Sequence, residues 1–144
     1  MSKLAILPAF AMILATPAFA EVCPAVPDHT AELEALIETV KEAPNEYEAQ
    51  KSSVELWKIW ADAPDDRAQK LLDEGMERRS SYDYSGALAA LNALVEYCPD
   101  YAEGYNQRAF VNFLRQDYEA ALPDLDRTLE RNQRHIAAMA GQAL

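Results

Sequence analysis

Residues 68–101, AQKLLDEGMERRSSYDYSGALAALNALVEYCPDY, and residues 102–135, AEGYNQRAFVNFLRQDYEAALPDLDRTLERNQRH, are two copies of one pattern. Laying Ala68 on Ala102 places Gly75 on Ala109, Met76 on Phe110, Asp83 on Asp117, Tyr84 on Tyr118, Ala87 on Ala121, Leu88 on Leu122, Leu91 on Leu125 and Val95 on Leu129. Self-similarity at this period marks a chain of stacked supersecondary units, none of which buries its apolar face alone.

Each copy divides into two helices. Asp65 and Asp66 open the first, which carries Leu71, Leu72, Gly75 and Met76 to about Arg79. A polar turn, Ser80 to Asp83, follows, and Asp83 caps a helix bearing Ala87, Leu88, Leu91, Leu94 and Val95 that Pro99 closes. The second copy predicts a cap at Asp100 before a helix over 102–115, and a cap at Asp117 before a helix through Ala121, Leu125 and Leu129. Pro123 lies beyond the first turn of that last helix, where it removes a backbone donor and predicts a kink.

Working outward, residues 136–144 begin a further helix, with Met139 and Ala143 at the positions held earlier by Leu71 and Gly75. Upstream, Leu33, Leu36, Ile37 and Val40 form a helical stripe behind a cap at Asp28 or Thr30, and Pro44 ends it. Asn45 and Glu48 have the spacing of a capping box for a helix carrying Val54, Leu56, Trp57, Ile59 and Trp60. Counted back from Pro64, with Pro64 laid on Pro99, Ser52, Leu56, Ile59 and Trp60 fall on Ala87, Leu91, Leu94 and Val95. Residues 28–67 therefore read as a degenerate first repeat or an N-terminal cap. Trp57 and Trp60 share a face, which suits a core or an aromatic patch for a partner. No stretch alternates as a strand does, so the expected fold is all-α.

The repeats resemble the tetratricopeptide repeat family. Leu71, Gly75, Tyr84, Ala87, Leu91 and Pro99 match its pattern in the first copy, and Tyr105, Ala109, Tyr118, Ala121 and Leu125 in the second. Gln133 stands where the family closes with proline, and Thr128 replaces a small apolar residue. The resemblance implies a short right-handed α-solenoid whose first helices line a concave groove. The run from Tyr97 to Ala109 also resembles a small family of exported bacterial repeat proteins of unassigned function. Residues 136–144 are then either a capping helix or the start of a further pair; that family usually has a further helix pair, so the resemblance favours a fragment.

The N-terminus reads as an address. Lys3 precedes an apolar run from Leu4 to Leu14, and Thr16-Pro17-Ala18-Phe19-Ala20 has small-residue cleavage spacing. A signal peptide cleaved after Ala20 is expected, with an extended lead-in over residues 21–27 and a periplasmic or secreted protein. The interrupted apolar run is too short for a good membrane anchor, so no stable insertion is expected after cleavage. Cys23 and Cys98 are the only cysteines. In an oxidising compartment they form one disulfide, or they remain separate thiols.

A formal net charge of −11 argues against nucleic acid, whose phosphates need a basic face. His29 and His135 lack cysteine or histidine neighbours at metal-ligand spacing, no serine sits in a nucleophile elbow, and four glycines make no phosphate loop. No catalytic, metal or cofactor site is read, and the expected partner is a protein or peptide. The resemblance places the groove at Leu72, Met76, Arg79, Asn106, Phe110, Phe113 and Leu114. Arg108 joins Arg78, Arg79 and Arg115 in a strip that suits an acidic segment or a carboxylate, unless these arginines pair with neighbouring acids. The expected function is a non-catalytic interaction module. An accessory subunit of an extracytoplasmic enzyme or assembly complex, for the cell wall or cytochrome maturation, and a chaperone are the alternatives.

Overall fold

The computed structural model describes residues 22–143; the leader read at residues 1–20 and the terminal Leu144 lie outside the described residues. All regular structure among the described residues is helical. The helices are α1 (Thr30–Lys41), α2 (Glu46–Trp60), α3 (Asp66–Ser80), α4 (Tyr84–Tyr97), α5 (Ala102–Leu114), α6 (Tyr118–Arg131) and α7 (Ile136–Gln142).

Short acceptor side chains start most of them. Asn45, Asp65, Asp83 and Asp117 accept from the backbone N–H three residues on, at 3.0, 2.8, 2.9 and 3.2 Å. Each satisfies one of the free donors that open a helix. Two caps differ from the sequence reading. His29, not Asp28 or Thr30, is the N-cap of α1, and its side chain makes no capping bond. Tyr101 rather than Asp100 is the N-cap of α5, because its ring is drawn into the core. α6 continues through Pro123 to Arg131.

The cap bonds shift titration. The Ala68 N–H, and then the Tyr97 hydroxyl, hold Asp65 below the usual carboxylate range. The Gly86 N–H and then Arg78 do the same for Asp83. A carboxyl depressed in the folded state contributes stability above its unfolded pKa of about 4, lost as pH falls through the folded value. Urea midpoints are therefore expected to be flat above about pH 5 and to decline below about pH 4. Asp65→Asn with Asp83→Asn, which keeps cap acceptors without titration, should make that decline shallower; an unchanged slope would remove the caps from the acid response.

Packing is regular from α3 onward. α3 packs on α4, α4 on α5, α5 on α6 and α6 on α7. α3 also meets α5, and α5 meets α7, whereas α4 and α6 are not paired in this way. The first helices of the pairs thus form an inner layer and the second helices an outer one. Small residues set the approach within each pair. A Cβ on Gly75 would lie 2.7 Å from Leu91 Cγ, and Leu91 is fully buried, so only glycine lets α4 come this close to α3. Ala109 meets Ala121 and Leu125 at the equivalent crossing. Tyr82 and Gln116, equivalent positions of the two copies, both adopt left-handed backbone, with φ of 63° and 62°. The same turn therefore joins the helices in both copies.

The N-terminal hairpin departs from this order. α1 and α2 pack on each other, but neither stacks on α3 as α4 stacks on α5. Ile37, Leu56 and Trp60 instead form a cluster with Leu33, Leu36, Val40 and Ala137 of α7. Residues 28–67 are therefore not a preceding repeat in the stack. Two anchors hold the hairpin's ends. Cys23 is disulfide-bonded to Cys98 at the end of α4, and Ala63, after α2, belongs to the same core cluster as Cys98, Leu72 and Leu91.

Candidate functional site

The inner layer carries both the buried polar groups and the exposed apolar ones, in separate zones. The closed zone is a chain of hydrogen bonds across three elements. Arg79 of α3 donates to Gln107 Oε1 of α5. Gln107 Nε2 donates to Glu103 Oε1 at 2.5 Å, and Asn106 Nδ2 donates to the same carboxylate at 3.1 Å. His135, at the start of α7, lies with Nε2 2.7 Å from Glu103 Oε2. Its Nδ1 accepts from the Ala138 N–H at 3.3 Å, so the arrangement suits the neutral ring with the proton on Nε2. Glu103 and His135 are 1% and 0% exposed, a burial a carboxylate tolerates only with its acceptor sites filled.

Trp60 covers this chain from the N-terminal hairpin. Its ring stacks on His135 with centroids 4.3 Å apart and planes 18° from parallel. Its carbonyl accepts from the Tyr101 hydroxyl at 2.7 Å. Tyr101 and His135 occupy equivalent positions at the ends of the two copies, so Trp60 touches the N-caps of both inner helices. Burial pushes the Tyr101 phenol far up, which keeps it a donor. Trp60 Nε1 is buried without a hydrogen-bond partner.

The open zone lies at the other end of α5. Phe110, Phe113 and Leu114 are 44%, 37% and 38% exposed. The Phe113 ring lies 5.7 Å from that of Tyr118, which is itself exposed. The Arg79 guanidinium sits 4.9 Å from the Phe110 centroid, within cation–π range. Burial lowers the Arg79 pKa, an effect opposed by the Glu103 charge. Met76 is half-buried against the first core.

Three positions assigned to the groove from sequence are elsewhere. Leu72 is fully buried in the core with Ala63 and Tyr101 and has no surface to offer. Asn106 is buried in the polar chain. Arg108 turns sideways: its Nε and Nη2 grip both oxygens of Asp124 at 2.7 Å, and its Nη1 donates to Asn92. That fork onto a buried carboxylate raises the Arg108 pKa and takes it out of the proposed basic strip. Arg78 is likewise held by Glu74 and Asp83, at 2.8 and 2.9 Å.

The repeats have counterparts in known proteins. The chain is 36% identical over 74 residues to the tetratricopeptide repeat protein 36 homolog of Nematostella vectensis, covering 51% of this chain and 41% of that protein. It is 37% identical over 57 residues to a TPR repeat-containing protein of Rhizobium etli, covering 40% of this chain and 28% of that protein. The helical pairs are similar to those of these tetratricopeptide repeat proteins. The matches span less than half the length of either relative. No family model matches the chain, and no solved structure does. Within these helical pairs, the residues that sequence reasoning missed are Glu103, Gln107 and His135, whereas Trp60, read as core or partner patch, is core. The register offered a signal for His135, because it aligns with Tyr101 and both are buried. Glu103 gave none, since its partner lies 32 residues away. Among the described residues no helix is long and apolar enough to cross a membrane, and no group of three or more His, Cys, Asp or Glu is placed to hold a metal ion.

Proposed function

We propose that this protein is a non-catalytic, exported interaction module that captures a peptide or protein segment on the open end of its inner face. The observation that carries the reading is the set Phe110, Phe113 and Leu114, exposed side by side on α5 with the Arg79 guanidinium at their edge. An apolar patch of this kind on a chain of net charge −11 is a contact surface rather than a solubility feature. Aromatic side chains in such a patch are the usual energetic anchors of an interface. The fitting segment presents an apolar side chain to Phe113 and Leu114 and a carboxylate to Arg79. Export rests on the leader at residues 1–20 and suits the Cys23–Cys98 bridge, which persists in an oxidising compartment. The same module serves equally on an accessory subunit of a larger extracytoplasmic assembly.

Selection of displayed twelve-residue random peptides on the oxidised protein tests this. Selected peptides should carry an apolar residue beside an acidic one. Phe113→Ala should weaken their binding about tenfold, with helicity retained. Binding that survives both Phe113→Ala and Phe110→Ala would move the site off this face. Enrichment of apolar peptides without any shared pattern would favour a chaperone.

A further inference from the structure

The hairpin α1–α2 sits on the inner layer, yet it is held there differently from everything else in the fold. Its ends are fixed at one place, since Cys23 and Ala63 both pack into the cluster around Cys98. Its body touches the repeats through a limited set of contacts: the Ile37, Leu56 and Trp60 cluster on Ala137, the Trp60 stack on His135, the Tyr101 hydroxyl on the Trp60 carbonyl at 2.7 Å, Ala61 against the first core, and the Glu34–Arg134 ion pair at 3.2 Å. A crevice of about 490 Å³ remains between the two parts, lined by Leu33, Ile59 and Trp60 on one side and Tyr101, Glu103 and His135 on the other. The closed position also buries the Trp60 indole N–H without an acceptor. An unpaired buried donor opposes the state that buries it, and water would satisfy it on opening.

We infer that α1–α2 is a flap, pinned at both ends, that occupies part of the binding face and must swing away before a bound segment can use its full length. Few contacts, an incompletely filled seam and an unsatisfied donor are the marks of a low-stability unit within a native fold. Opening would uncover Glu103 and His135, a polar pocket on the same inner layer as the apolar set at Phe110 and Phe113. The consequence for binding rests on the groove proposed above, though the flap itself does not require it.

Native-state hydrogen exchange on the oxidised protein tests the flap without any ligand. Amides of α1 and α2 should exchange through an opening that leaves α3 to α6 protected. Exchange of all six helices in one cooperative step would overturn the flap. Binding tests its consequence. Trp60→Ala removes the stack from the flap side and leaves the inner face intact. It should bind display-selected peptides, extended to about twenty residues, about tenfold more tightly than the unaltered protein, and equal or weaker binding would overturn the regulatory role. Should Trp60→Ala fail to fold, Ala137→Asp, which puts a charge into the cluster with Ile37 and Leu56, replaces it in the binding test and is also read by exchange. That variant should speed α1–α2 exchange at least tenfold while α3 to α6 hold within twofold; uniform acceleration would count against the flap.

Discussion

Reducing the Cys23–Cys98 bridge is expected to lower the unfolding free energy by about 4 kcal/mol. The two cysteines are 75 residues apart, so the bridge closes a loop over more than half the chain and removes much of the unfolded state's freedom. Against a total of about 5–15 kcal/mol for a domain, that is a large fraction. A second signature separates this cause from a local packing defect. The reduced unfolded chain is more expanded, so the dependence on urea should steepen as the midpoint falls. Urea titration with and without a phosphine reductant reads both. The Cys23→Ala/Cys98→Ala variant should behave like the reduced protein, apart from the small cavity left at Cys98, which is 1% exposed. A midpoint that ignores reductant would mean that the bridge closes no constraint the fold depends on.

Glu103→Ala should cost about 3 kcal/mol or more. The carboxylate is the shared acceptor for Gln107, Asn106 and His135, and its burial leaves no solvent contact to replace it. Removing it strands several donors, each at about 1–3 kcal/mol. Glu103→Gln is no rescue, because its amide nitrogen would face another donor. Removing both ends of the Glu103–His135 contact is less harmful than removing one. In a double-mutant cycle, Glu103→Leu with His135→Phe should destabilise by about 1–2 kcal/mol less than the sum of the single changes. Phenylalanine keeps the stack on Trp60 while leaving no ring N–H to satisfy. Additive costs would show that Glu103 and His135 act independently and that the short contact between them carries no coupling.

Much of this architecture is written in the register. Laying one copy on the other marks residues whose roles depend on position within a helical pair: Asp83 and Asp117 as caps, Gly75 and Ala109 at crossings, Leu91 and Leu125 opposite them. Such roles are local, so spacing reveals them. The placement of α1–α2 was not legible for the converse reason. Periodicity shows that Leu56 and Trp60 share a buried face, but not which surface buries it, and here that surface includes Ala137 of α7. Counting back from Pro64 matched a pattern that the packing does not use. The groove was legible in part. Phe110, Phe113 and Leu114 are exposed on the inner layer. Leu72 shares their helical register but lies under Ala63 and Tyr101, which the neighbouring segments supply. The direction of Arg108 was set by Asp124, sixteen residues on and on another helix, and composition carries no information about such a pairing.

Central to the fold are two stacked helical pairs whose inner layer is partly covered by the chain's own N-terminal hairpin. A carbon-edited NOE spectrum of the oxidised protein tests this arrangement most directly. It should show contacts from the Trp60 ring to the His135 ring and the Ala137 methyl, with contacts from the Gly75 Hα protons to the Leu91 methyls. Contacts from Trp60 to Leu71 and Lys70 of α3 instead, with none to His135, would place α1–α2 ahead of α3 as an ordinary first repeat and contradict it.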